Sequence, residues 1–399
     1  MGSEQWRIVI DTRMEDTSWV VSPRVDFAVP EIDEADIEAV ATVLRSGWIT
    51  TGQECVLLEQ EIAEYVGVEH VITMSSCTAA IETAVAHLSL PRGARVGVPT
   101  WTFVSTALSA IHQGLDVVLL DIDGDDFNLS PRALAASLDD GLDAVIGVHF
   151  AGVPLAPEVH ALCAEAGVPL IEDAAHALGA SDRRGMVGGQ GTAGACFSFY
   201  ATKNLTSAEG GALATDDPDL ADFARSFRLH GLSKDAWTRY HPDAPSGYDL
   251  VVPGIKGNLP DVLAALARSQ FRRFSAMQHR RRSLVTRYRE NLRGIEGLQF
   301  VPGEPSTGSA DHLFLVMLPE GVDRARVAKQ LASADIGTSV HFQPLHTFPW
   351  FERHAEMGPG GAPVADAARD RAFSLPLHPA LSDADLDRVC AEVSAALGR

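Results

Sequence analysis

The chain is short of cysteine, lysine and positive charge, and it has no long apolar run. Its 399 residues include five cysteines: Cys55, Cys77, Cys163, Cys196 and Cys390. An odd, scattered set without a C-x-x-C pair argues against a disulfide scaffold and against a zinc site. It predicts a reduced, cytoplasmic setting. No apolar stretch reaches the roughly 18 residues of a membrane span. The longest, Ala144 to Pro157, is interrupted by His149, Gly152 and two prolines. Met1 to Ile10 lacks a basic region followed by an apolar core, so no signal peptide is expected. The net charge of −21 argues against nucleic acid and against anionic membranes as partners. It leaves room for a small anion, because a local cluster of donors can override the global field.

What is present is alternation. Helical patterns over Glu34 to Leu44 and on through Ala63 come first. Short apolar strands then alternate with helices: Val71–Met74, Thr78–Leu88, Val96–Val98, Ser105–His112, Val117–Leu120, Pro131–Leu138, Ala144–Val148, Ala156–Ala166 and Pro169–Glu172. Strands buried on both faces and joined by helices predict a mainly parallel, doubly wound α/β sheet. After Cys196–Tyr200 and Gly211–Ala214 the alternation stops. One long helix is expected over Leu259 to Leu292, with its arginines (Arg268, Arg272, Arg273, Arg280, Arg281, Arg282) on an exposed face. Strands are expected at His312–Leu318 and Gly337–Phe342, and a closing helix at Ala384–Leu397. The expected division is an N-terminal extension over 1–25, a large domain over 26–260, and a connector helix with a small α+β domain over 261–399.

Only Lys203, Lys234, Lys256 and Lys329 are lysines, among 32 basic residues. Lys203 follows the apolar strand Cys196–Tyr200 and precedes the turn Gly210-Gly211. Partial desolvation there lowers an amine's pKa and suits it to imine chemistry; the alternative is a surface lysine in a loop. Asp173 closes a strand thirty residues earlier, where a carboxylate faces the ligand crevice or else caps a loop. The small, hydroxylated run Ser75 to Ala80 lies between a strand and a helix. It would offer free amides and a helix dipole to an anion, or be a plain helix cap. Ser198 could add a hydroxyl. An imine-forming lysine, a carboxylate for a pyridine nitrogen and a phosphate cradle are what pyridoxal phosphate (PLP) requires.

The motifs Ile171-Glu172-Asp173-Ala174-Ala175-His176, Phe197 to Asn204 with Lys203, and Glu209-Gly210-Gly211 resemble those of the sugar-nucleotide aminotransferases. These are a branch of the fold-type I, aspartate aminotransferase-like PLP enzymes. The resemblance runs from about Val29 to the C-terminus and includes Ser46 to Gly52 and Gly257-Asn258-Leu259. It implies a Schiff base between PLP and Lys203, with Lys203 also moving the proton. It implies that Asp173 partners the pyridine nitrogen and that His176 reaches the phenolic oxygen. Thr78, Ala79 and Ser198 match phosphate contacts, and Phe103 matches an aromatic stacked on the ring. Cys77 departs from the Gly or Ala usual in that loop, although its amide can still serve. Asn258 matches a residue that reaches the phosphate of the neighbouring subunit, which implies a homodimer with shared sites. The implied amino donor is L-glutamate.

Val340 to Thr347 resembles the C-terminal loop of the members that aminate at C4, with His341 near the sugar. Arg228 to Leu232, containing His230, and Lys256 match a segment close to the site in that subgroup. The expected substrate is a nucleotide-linked 4-keto-6-deoxyhexose; a 3-keto sugar nucleotide or a keto-cyclitol is the alternative. The string Gly189-x-Gly191-x-x-Gly194 satisfies a dinucleotide fingerprint and raises an NAD-dependent oxidoreductase. It leads into a strand where that fingerprint must open a helix, so a loop is expected. A PLP sugar dehydratase would carry histidine in place of Lys203, and a regulatory relative would need no complete constellation. Asp121, Asp123, Asp125 and Asp126 read as a solvated acidic turn, and no metal is expected.

Overall fold

The computed structural model describes residues 24–233, 248–306 and 308–398. The expected extension over 1–25 lies outside the described residues except for Arg24 and Val25. Val25 is held firmly: it is buried and pairs with Ile336.

Two helices open the described chain, α1 (Glu34–Ser46) and α2 (Gln53–Val66). A reciprocal capping box between Asp33 and Asp36 starts α1, and Gly47 in the left-handed region ends it. Gly52 begins α2 and has no side chain with which to cap it. The cap comes from far away instead. Asp261 accepts from the amides of Gly52 (2.7 Å), Cys55 (3.1 Å) and Glu54 (3.2 Å).

The alternating region then follows: β1 (His70–Met74), α3 (Cys77–His87), β2 (Arg95–Pro99), α4 (Val104–His112), β3 (Asp116–Leu120), α5 (Pro131–Asp139), β4 (Ala144–Val148), α6 (Pro157–Ala166) and β5 (Leu170–Asp173). A small hairpin, β6 (Ser181–Asp182) and β7 (Gly185–Met186), precedes β8 (Ala195–Ser198), β9 (Gly211–Thr215) and α7 (Pro218–Phe227). The main sheet has the order β1-β9-β8-β5-β4-β2-β3-β12, where β12 is Glu356–Met357. Only β9 runs against its neighbours; the other pairs are parallel. The doubly wound α/β expectation holds. Ile81, Ala84 and Ala107 of α3 and α4 pack one face against Ile72, Val96 and Ile146. Leu58 and Ile62 of α2 pack the other against Val71, Phe197 and Ala212.

Beyond the sheet come α8 (Asp261–Arg272), α9 (Phe274–Leu292), β10 (Gln299–Val301), β11 (Phe314–Met317), α10 (Arg324–Ser333), α11 (Phe351–His354), α12 (Pro363–Ala368), β13 (Ala372–Leu375) and α13 (Asp383–Ala396). β10, β11 and β13 form a second, antiparallel sheet over a cluster that includes Leu284, Tyr288, Phe314, Val327 and Val389. Among the described residues no helix is long and apolar enough to cross a membrane.

Four expectations are corrected. The helix over Leu259 to Leu292 is two helices that break at Arg273, so that α8 packs on α1 and α2 while α9 turns to α13. Its arginines are not one exposed face. Arg268 pairs with Glu54 and Glu61, Arg273 with Asp36, and buried Arg281 donates to the carbonyls of His312 and Leu377. Gly337–Phe342 is not a strand. Only Ser339 pairs with Ser374; the carbonyl of His341 then accepts from Trp101 Nε1, which draws the segment off the sheet. The acidic turn is not simply solvated: Asp121 is buried and accepts from the amides of Val364 and Ala365, capping α12. The helices α7 and α10 and the strands β10 and β13 went unrecognised in the sequence. The Gly189 to Gly194 string forms the expected loop, leading into β8.

Asp261→Ala removes three amide partners from the start of α2. It should destabilise the protein by about 2 kcal/mol, read as a lower denaturant midpoint. Asp261→Asn, which keeps one acceptor oxygen, should recover part of the loss.

Candidate active site

The register of β5 and β8 places Asp173 opposite Cys196 on adjacent parallel strands. Both strands therefore release their chains at the same edge of the sheet, where ligands bind in open α/β folds. Asp173 is buried. One oxygen accepts from the Ala175 amide (3.1 Å) and the other from the Thr106 hydroxyl (2.7 Å). Lys203 sits in the loop after β8, and its amide donates to the Tyr200 carbonyl. Burial lowers its ammonium to about 8, against the opposing pull of Cys77 and Asp173.

The third strand at this edge is β1, which delivers Ser75 and Ser76 to the start of α3. Ser76 is the N-cap, and its hydroxyl accepts from the Ala79 amide at 3.1 Å. That commits the Ala79 N–H within the chain. The first-turn amides of Cys77 and Thr78 lack an acceptor in the helix and face the helix end, as an anion site requires. The loop is crowded from behind: a Cβ on Gly211 would lie 2.5 Å from the Cys77 amide nitrogen. Only glycine lets β9 approach so closely. The Cys77 side chain points away into the protein, 3.1 Å from the Cys196 carbonyl and 3.7 Å from Asp173 Oδ1. Burial holds this thiol well above its usual range.

His176 is buried, with its ring stacked on Phe342 at 5.9 Å and tilted against His312 at 4.3 Å. Its Nδ1 has no hydrogen-bond partner among the described residues. A buried polar atom without a partner is costly and marks a place where a ligand can bind. Burial, then the nearby Lys203 charge, pushes His176 well below the usual histidine range. Phe103 precedes α4, 56% exposed, its ring 5.9 Å from that of Phe342. Ser198 ends β8, and its hydroxyl accepts from the Tyr200 amide.

The other expected residues lie on two rims. Asn258 bridges to Met74, and the Gly257 carbonyl accepts from Ser75, so this segment runs beside its own chain's Ser75–Cys77 loop. Asn258 Nδ2 donates to Thr51 Oγ1 at 2.7 Å, and Lys256 Nζ donates to Asn258 Oδ1 at 2.5 Å. His230 is exposed, and its amide donates to Ile255, next to Lys256. On the opposite rim, His341 stacks on Phe27 at 5.3 Å and bonds Ser374 Oγ at 3.2 Å. Burial pushes His341 down to about 4. Thr106 and His312 escaped sequence reasoning. His312 is bonded to Asn204, the residue after Lys203, at 2.9 Å. The only sequence signal was a hydroxyl in α4 and a histidine ahead of a strand.

The amine with its lowered pKa, the buried carboxylate, the free first-turn amides and the unpartnered His176 Nδ1 together fit pyridoxal phosphate. At pH 8 about half of Lys203 should be neutral, against about one in three hundred for an ordinary lysine. Labelling of PLP-free protein by an amine reagent, followed by peptide mass spectrometry, should show a midpoint for Lys203 near 8. Asp173→Asn should move that midpoint lower still.

Comparison with known proteins agrees with this chemistry. A model of the DegT/DnrJ/EryC1/StrS aminotransferase family matches residues 30–394. The spore coat polysaccharide biosynthesis protein SpsC of Bacillus subtilis (strain 168) is 38% identical over 369 residues, 91% of this chain and 94% of that protein. Spr1654 of Streptococcus pneumoniae, described as a sugar aminotransferase and solved in its PLP form, superposes with a TM-score of 0.84 at 27% identity. The match covers 94% of this chain and 98% of that one. DesV of S. venezuelae superposes with a TM-score of 0.84 at 28% identity over 95% of this chain and all of that one. The fold is therefore that of the fold-type I enzymes and the cofactor is pyridoxal 5'-phosphate: the chain belongs to the DegT/DnrJ/EryC1/StrS family of PLP-dependent sugar aminotransferases.

Proposed function

We propose that this enzyme moves the amino group of L-glutamate to C4 of a nucleotide-linked 4-keto-6-deoxyhexose. The observation that carries the reading is the gathering of Lys203, Asp173, His176 and the Cys77 and Thr78 amides at one sheet edge, with Lys256 and His230 on the adjoining rim. When bound, PLP supplies the electron sink that a carbon losing its proton needs. Lys203 anchors the cofactor, and its amine carries the proton between substrate carbon and cofactor carbon; a pKa near 8 suits both tasks. Asp173 holds the pyridine nitrogen protonated. His176, whose Nδ1 lacks a partner among the described residues, would meet the phenolic oxygen. The amides of Cys77 and Thr78, with Ser198, hold the phosphate, while the Ala79 amide acts through the Ser76 cap. Phe103 covers the outer ring face.

Lys256 and His230 would meet a diphosphate that the chain's net charge of −21 would otherwise repel. His341, neutral at physiological pH, is suited to hydrogen-bond sugar hydroxyls rather than to pair with a charge. The domain division at 25 and 260 and a cytoplasmic, reducing setting belong to the same reading; five buried, unpaired cysteines support the second. A homodimer with shared sites belongs to it as well. Its support is the groove of about 390 Å³ lined by Ile32, Ile37, Val40, Ala201, Ala208 and Leu266, beside a helix that leaves Ile37 and Leu44 more than half exposed.

Incubation with L-glutamate and a panel of keto-sugar nucleotides should release 2-oxoglutarate, and NMR of the product should show the new amine at C4. An amine at C3, or activity confined to a non-nucleotide keto-cyclitol, overturns the substrate and leaves the PLP chemistry intact. Lys203→Ala should abolish turnover, and near wild-type turnover in that variant would refute the central assignment. Asn258 runs beside its own chain's phosphate-type loop, so mixing Lys203→Ala with Asn258→Ala subunits tests the sharing directly: partial recovery supports a contribution across the interface, and no recovery assigns Asn258 to its own chain's site. A fully active monomer at low concentration excludes the shared site.

A further inference from the structure

Asp173 receives a hydrogen bond from an element that the cofactor motifs do not include. Thr106 lies in the first turn of α4, where a threonine hydroxyl ordinarily bonds back to its own helix. Here Thr106 Oγ1 lies 2.7 Å from Asp173 Oδ2 and 2.8 Å from Thr102 Oγ1. Both threonines are buried, so both hydroxyls need partners. A carboxylate only accepts, which commits the single proton of Thr106 to Asp173. The oxygen of Thr106 must then accept the proton of Thr102. The bonds run one way: Thr102 to Thr106 to Asp173. The other carboxylate oxygen is held by the Ala175 amide, so donors fix both sides of the group. Between the two threonines sits Phe103, the residue just ahead of α4.

We propose that Thr102 and Thr106 form a hydroxyl relay that positions Asp173 for the pyridine nitrogen, Thr106 being the positioning residue and Thr102 its orienting partner. One helix start would then set both the carboxylate for the pyridine nitrogen and the aromatic for the ring. Hydrogen bonds in series polarise one another, and a hydrogen bond to a charged acceptor is among the stronger kinds. The inference rests on the proposed role of Asp173.

The test is PLP affinity, read by equilibrium dialysis of the purified enzyme against graded PLP, alongside kcat and KM. Thr106→Val keeps the shape and removes the hydroxyl. It should weaken PLP binding by about tenfold or more and lower kcat without a matching change in KM for the sugar. Thr106→Ser restores the hydroxyl and should recover most of both. Thr102→Val should cause a smaller loss in the same direction. Wild-type affinity in Thr106→Val, with weakened binding in Asp173→Asn, overturns the relay and leaves the role of Asp173 standing. Unchanged affinity in Asp173→Asn overturns both. If Thr106→Ser fails to recover, methyl packing rather than the hydroxyl is responsible, and the relay is wrong. Should Thr106→Val not fold, Thr102→Val decides: wild-type affinity there overturns the relay, and a loss supports it.

Discussion

The site depends on one pairing, β5 against β8, parallel and with Asp173 opposite Cys196. Parallel neighbours end at the same edge of a sheet, so the carboxylate at the end of β5 and the lysine loop after β8 emerge side by side. The reversed strand β9 then sits between β8 and β1, which brings the end of β1 to that same edge. The phosphate-type loop at Ser75 to Thr78 follows from that placement. A slip of one residue between β5 and β8 would turn Asp173 to the other face of the sheet and exchange it with Glu172. Glu172 belongs to a different environment. It is buried with His149, His160 and Arg184 around it; against the effect of burial, the His160 hydrogen bond and the pull of the two histidines hold its carboxyl well below the usual range.

Around the amine, burial acts on three histidines in the same sense. His176, His312 and His341 are all pushed below their ordinary range, chiefly by loss of water, and so are uncharged near neutral pH. The Lys203 amine is itself lowered, and the buried Arg281 guanidinium adds its charge beside His312. Such a pocket favours an amine that exchanges its proton readily over one fixed as an ammonium. The neutral rings also pack: His176 lies between Phe342 and His312, and Phe342 meets Phe103. The 341–347 loop thus closes the site by aromatic contact rather than by ion pairs. Its far end is tied down where His346 bridges Thr100 and Asp366.

Much of the large sheet was legible because its signals are local. Runs such as Ala144–Val148 are wholly apolar, and each is bounded by turn chemistry and followed by an amphipathic helix. The region after residue 214 was less legible. The helix α7 starts at Asp217-Pro218, a local capping signal. The break at Arg273 carries no proline or glycine; it follows from a change of packing partner between α8 and α9. The arginines of that stretch read as an exposed stripe because their acidic partners, Glu54, Glu61 and Asp36, lie more than 200 residues away in sequence. The cap of α2 by Asp261 escaped notice for the same reason: Gly52 shows no local acceptor, and the real one comes from another helix.

By itself the sequence determined the class of fold and pointed to the residues proposed to bear the chemistry. Asp173 and Ser75–Thr78 sit at strand ends and Lys203 in the loop that follows one, and strand ends are readable from apolar runs and the glycines and hydroxyls that stop them. The tertiary structure alone decided which donors serve which acceptors. It committed the Ala79 amide to Ser76, left those of Cys77 and Thr78 available, turned the Cys77 thiol inward, brought Thr106 to Asp173 and set Asn258 beside its own chain's loop. The physical reason is range. Periodicity and capping act over a few residues, whereas a hydrogen bond across a packed core joins residues whose separation in sequence carries no information about their meeting.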